Sequence, residues 1–237
     1  MTGADNDPTQ AGLSLRQGLE RVTLSLPEVQ ALATKAARGA GYDWGMAEEA
    51  GQAAAWLCAA GLEGLALLLA HLEAVDAAPD ALRGPASCAA AGLWAGPAGA
   101  ALCPLRAGAA LSDIGGPGEG GLTIAGLARP VLLVPFLALL ARDTGRSFRL
   151  DWPGGGFGIG PGGTDDPAAA RSLAAEAGPC TLRLRRQARP VAARPREPAA
   201  MIDRAIWARL DRLALRTCVP ATDQSRADAG AGDSDND

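Results

Sequence analysis

Two residue types that carry much of enzyme chemistry are almost missing from this chain, which has one histidine, His71, and one lysine, Lys35. One histidine gives a Cys/His zinc site little support, because such sites gather several imidazoles or thiolates at set spacings. The five cysteines, Cys58, Cys88, Cys103, Cys180 and Cys218, contain no Cys-x-x-Cys pair. A Ser–His–Asp arrangement would have to recruit His71, which lies in the apolar run Leu62–Val75 away from any nucleophile motif. His71 therefore reads as structural or partly exposed. The odd cysteine count and the lack of a signal peptide predict a reducing cytoplasm. The longest apolar run, Pro130–Ala141, spans twelve residues between Arg129 and Arg142. That suits a buried helix and is too short to cross a membrane. Aromatic residues make up 4% of the chain and the net charge is −4, a balance that argues against nucleic-acid binding.

A chain of 237 residues with 48% hydrophobic and 20% charged content can bury one sizeable core. Arginine, alanine, glycine and proline are inflated together, which reads as compositional bias and makes Lys35 conspicuous. The sequence predicts a loose extension over residues 1–22, one globular domain over 23–220, and an acidic strap or tail over 221–237. Ser25, followed by Pro27 and Glu28, is a helix start. Val29, Leu32, Ala33 and Ala36 make the stripe of that helix, and Gly39 or Gly41 ends it. Asp43 caps a second helix with Met46, Ala50, Ala53, Ala54 and Leu57 on one face, and Leu62–Val75 forms a third. Beyond Pro79, short apolar pieces such as Ala107–Leu111 and Gly121–Ala125 alternate with Gly/Pro clusters and read as short strands. Leu132–Asp143 reads as a helix stopped by Gly145. Ser147–Trp152 and Thr181–Arg186 alternate as strands. A last helix is expected from about Ala199 to Thr217. These elements predict an α+β fold, with a helical N-terminal part packed on a small, mainly antiparallel sheet.

Gly158–Gly163 spells G-x-G-x-x-G after a predicted strand, yet Pro161 removes an amide that a pyrophosphate would need. Asp165 and Asp166 stand where the next helix should start and would repel a phosphate there. The segment Gly154–Gly163 is therefore expected to be a mobile connection, not a nucleotide cradle. Ten arginines between Arg183 and Arg216 form the only basic region, with Trp207 as its one aromatic residue. Solvated faces are the plainer reading, although one or two of these guanidiniums could clamp a small carboxylate. The ending Asp233–Asp237 imitates a calcium loop without its glycine and terminal glutamate.

The run Lys35-Ala-Ala-Arg38-Gly39-Ala-Gly41, then Trp44-Gly45 and Ala47-Glu48-Glu49-Ala-Gly51, resembles the start of a bacterial family classed as a domain of unknown function. Val219-Pro220, Ser225-Arg226, Gly230-Ala-Gly232 and Asp235-Asn236-Asp237 resemble that family's ending. The resemblance implies no activity. It does imply that the tail folds back as an ordered strap. The polar groups beside the first helix pair then suggest a site with Lys35, Arg38, Trp44, Ser225, Arg226 and Asp235 as ligand-binding residues. Glu49, at the core boundary near Trp56, and Asp113, at the end of a predicted strand beside a Gly-rich loop, are candidates for acid–base work. The reading is a small-molecule binding protein for an anionic metabolite, or a metal-independent enzyme of small-molecule metabolism that uses no cofactor. Its alternative is a non-catalytic subunit, in a homo-oligomer or beside a partner enzyme, with neither nucleic acid nor membrane as a partner.

Overall fold

The computed structural model describes residues 20–192 and 195–218. The protein is α+β, with its first three helices preceding most of the sheet. The first helix, α1 (Leu26–Gly39), begins with a reciprocal cap: the Ser25 hydroxyl accepts from the Glu28 amide, and the Glu28 carboxylate accepts from the Ser25 amide at 2.8 Å. Val29, Ala33, Ala36 and Ala37 form its buried stripe. In α2 (Trp44–Ala59) the Asp43 carboxylate accepts from the Met46 amide at 2.9 Å. The facing side of α2 is made of small residues, and a Cβ on Gly51 would run into Thr34 and the Gln30 carbonyl. The helix α3 (Gly64–Ala77) comes equally close, with Gly64 against the Ala54 carbonyl and Leu57.

The larger sheet contains β2 (Leu82–Arg83), β3 (Gly92–Trp94), β4 (Ala101–Leu102), β5 (Leu122–Leu127), β6 (Ser147–Trp152), β7 (Gly155–Gly160), β8 (Gly163–Thr164) and β9 (Cys180–Gln187). Its order is β2-β4-β5-β9-β6-β7-β8, with β3 also paired to β5. The β2, β3, β4 and β5 pairings are parallel, while β9, β6, β7 and β8 join antiparallel. Alternation sets the two faces. Leu122, Ile124, Phe148, Leu150, Leu182 and Leu184 point into the core. Thr123, Arg149, Asp151, Arg183 and Arg185 occupy the opposite, open face. Three helices lie between these strands in the chain: α4 (Pro104–Asp113), α5 (Val134–Thr144) and α6 (Pro167–Ala175). A left-handed Gly145 stops α5, and the Asp166 carboxylate caps α6.

A separate two-stranded ribbon pairs β1 (Arg21–Ser25) with β10 (Ala199–Asp203), antiparallel, in register from Arg21↔Asp203 to Ser25↔Ala199. The last helix, α7 (Arg204–Leu215), then packs on α1, where Gly39 meets the Leu213 carbonyl. Arg216 holds Asp76 of α3 at 2.6 Å, and Arg209 holds Glu73.

Several local expectations are overturned. Ala107–Leu111 is helical: Pro104 opens α4, and Leu105, Gly108 and Leu111 fall on its buried side, a spacing that a five-residue apolar run cannot reveal. Ala199–Asp203 is a strand, with Ala200 and Ile202 inward and Met201 outward, and Asp203 caps the helix that follows. Arg21 and Val22, expected within the loose extension, pair in β1, and residues 1–19 lie outside the described residues. Gly154–Gly163 is not a mobile connection. Its Phe157 and Ile159 alternate inward in β7, and a Cβ on Gly156 would push aside the Asp151 carboxylate and the Arg149 guanidinium. Glycine hides period-two alternation, so this strand had no signature.

Candidate functional site

The site residues expected from sequence separate into pairs. Arg38, in the last turn of α1, donates to the Tyr42 carbonyl at 2.6 Å and lies over the Trp44 ring, 5.1 Å from its centroid. It thus closes the α1–α2 reversal, with Trp44 65% exposed above it. Lys35 is exposed on α1. Glu49 is half-buried on α2 and faces Asp113 at the end of α4; burial, then the Asp113 charge, raises its pKa. Asp113 closes a helix, not a strand. Ser225, Arg226 and Asp235 lie outside the described residues.

Sequence reasoning missed a polar cluster in the core. The chain's one tyrosine and one histidine meet there, Tyr42 Oη 2.8 Å from His71 Nε2. Tyr42 Oη is also 3.2 Å from Cys103 Sγ, and Cys103 is the residue that precedes α4. All three side chains are buried. The His71 Nδ1 has no hydrogen-bond partner. That favours Nε2–H donating to Tyr42 and Tyr42 donating to sulfur, which leaves Nδ1 as a bare acceptor and not a stranded donor. Burial and then the nearby Arg129 charge lower the His71 pKa to about 4. Burial raises that of Tyr42, and Arg106 lies over its ring. A closed cluster of this kind ties the α1–α2 turn to α3 and to the start of α4, and a thiol buried away from solvent is inert.

The chemistry open to solvent lies elsewhere. A cavity of about 420 Å³ is walled by Leu26, Pro27 and Gln30 of α1, by Gln52, Ala55, Trp56 and Ala59 of α2, by Leu139 and Arg142 of α5, and by Arg196. Trp56 is buried as its floor, and Arg196 lies over that ring at 5.1 Å. Burial, and then the Arg142 charge, lower the Arg196 pKa, so two like charges share this space. Among the described residues no carboxylate lines it and Arg196 has no ion-pair partner, while Arg142 pairs with its neighbour Asp143 at 3.0 Å. Arg196 also borders a smaller cavity of about 170 Å³, reaching Gly162, Gly163 and Thr164. A third cavity, about 530 Å³, lies between the β1–β10 ribbon and the α2–α3 junction, where Cys58 is buried and its thiol pKa raised by that burial.

Residues 24–114 match the model of a family described as a protein of unknown function (DUF3726). The match agrees with the resemblance at the chain's start and stops short of the tail. Tyr42, His71, Cys103, Glu49, Asp113 and Trp56 fall inside it, whereas Arg142 and Arg196 do not. No curated protein and no solved structure matches the chain.

Proposed function

We propose that the protein binds a small organic anion, a planar carboxylate, in the cavity between α1, α2 and α5. One observation carries this: two guanidiniums, Arg142 and Arg196, face a single cavity that Trp56 also lines and that, among the described residues, holds no carboxylate. A planar carboxylate supplies a counter-charge, accepts two N–H bonds from one guanidinium, and rests its apolar body against Pro27, Ala55 and Leu139. Gln30 and Gln52 add neutral donors at the rim. An anion between Arg142 and Arg196 would offset the like-charge repulsion that lowers the Arg196 pKa. Five unpaired cysteines support a reducing cytoplasm as the protein's compartment.

Benzoate is a suitable probe. It should raise the melting temperature of the parent, with neutral benzamide giving no shift, and Arg196→Met should weaken benzoate binding by about tenfold or more, the loss expected for one charge-assisted pair. Equal stabilisation by benzamide, or by benzoate in Arg196→Met, would overturn the reading. The assembly reading keeps one observation of its own, the exposed Trp44 backed by Arg38, a residue pair enriched at interfaces. Sedimentation of the parent and Trp44→Ala decides it: a dimer lost in the variant supports assembly, and a monomer in both removes it.

A further inference from the structure

The open face of the sheet bears a second charged feature. Across it runs the row Leu93–Thr123–Arg183–Asp151–Gly156, each residue paired in register with the next. One pleat along, Arg185 pairs with Arg149 and Arg149 with Gly158. Arg185 stands beside Gly121, where an added Cβ would lie 3.6 Å from that of Arg185. Gly92 and Gly121 hold left-handed backbones, at φ +101° and +72°, so both positions favour glycine and contribute no side chain. The result is an open trough of about 690 Å³ lined by Gly92, Gly120, Gly121, Thr123, Asp151, Arg183 and Arg185.

Its charge is unbalanced. Asp151 is shared by Arg149 at 2.8 Å and Arg185 at 3.4 Å, while Arg183 has no ion-pair partner among the described residues. Two guanidiniums, Arg183 and Arg185, thus line the trough against one carboxylate that Arg149 already holds. Arg183 and Arg185 are two residues apart on one strand face, about 7 Å from Cα to Cα. We propose that this trough is a binding site for a compact polyanion with two or more charged groups, phosphoryl or carboxyl. One group pairs with Arg183 while a second takes Arg185 from Asp151, and the Thr123 hydroxyl and the glycine backbone complete the floor. The site is separate from the α1–α2–α5 cavity and does not rest on it. A single-charge anion satisfies only one arginine, so valence, not planarity, should decide binding here.

Titration calorimetry of the full chain at low ionic strength, with pyrophosphate, citrate and acetate as probes, tests this. One-to-one binding of pyrophosphate or citrate but not acetate is expected, weakened about tenfold or more by Arg183→Gln. Asp151→Asn removes the competing carboxylate and should tighten binding several-fold, while its melting temperature reports whether the fold survives. Binding of pyrophosphate alone assigns a phosphoryl ligand, and of citrate alone a polycarboxylate. The proposal fails if neither binds, or if Arg183→Gln binds as the parent does. It fails equally if saturating benzoate displaces the polyanion, which would locate the bound anion beside Arg196.

Discussion

Burying a neutral imidazole ties stability to pH. His71 has its pKa lowered from 6.5 to about 4 by burial and by Arg129, whereas in the unfolded chain it titrates near its ordinary value. Between pH 6.5 and 4 the unfolded state therefore takes up a proton that the folded state refuses, so stability is flat above this window and falls as pH drops through it. The loss can reach about 3 kcal/mol, at 1.36 kcal/mol per unit. His71→Gln should flatten this dependence in urea unfolding at pH 7 and pH 5, and an unchanged dependence would place the acid sensitivity on another group. Little of this was legible in the sequence, because Tyr42 and Cys103 reach His71 through space across 29 and 32 residues. Isolation in sequence made His71 look idle. Glu49 was more legible, since its boundary position follows from the helical wheel, and its carboxylate neighbour proves to be Asp113. Arg196 had no local mark among ten arginines and emerges only where Trp56 and Arg142 meet it.

Helices with strong end signals were read correctly, because Ser25, Asp43, Asp166 and Gly145 act within one turn of their own residues. Short segments were not, since a run of five apolar residues fits either period and its partners decide. Close helix approach was only half visible: glycines stood out, but not what each one touches. Gly39 and Gly45 make the contrast testable. A methyl at Gly39 would overlap the Leu213 carbonyl of α7, a backbone atom that cannot swing aside, whereas at Gly45 the nearest atom is an Asp43 oxygen at 3.8 Å. Alanine gains about 1 kcal/mol over glycine in a helix. Gly45→Ala should therefore raise the melting temperature, and Gly39→Ala should lower stability by about 1–2 kcal/mol once overpacking outweighs that gain. A stabilised Gly39→Ala would mean that α1 and α7 are free to move apart.

Across the whole molecule, the β1–β10 ribbon joins the first described strand to the last, with Val22 opposite Ile202. Contacts that distant carry a high loop-closure cost and are made late. Val22→Ala and Ile202→Ala should therefore speed unfolding while leaving the refolding rate nearly unchanged, and a matching slowdown of refolding in stopped-flow traces would show that the ribbon nucleates the fold. Timing during synthesis follows from the same pairing. The strand β1 is synthesised long before β10 and α7, and at about 5–20 residues per second the wait between them is roughly ten to forty seconds. Through that interval β1 has no partner strand, and the stretch of α1 around Gly39 has no α7 to cover it. The nascent chain thus carries an unpaired strand and an uncovered helix face until β10 and α7 have been made.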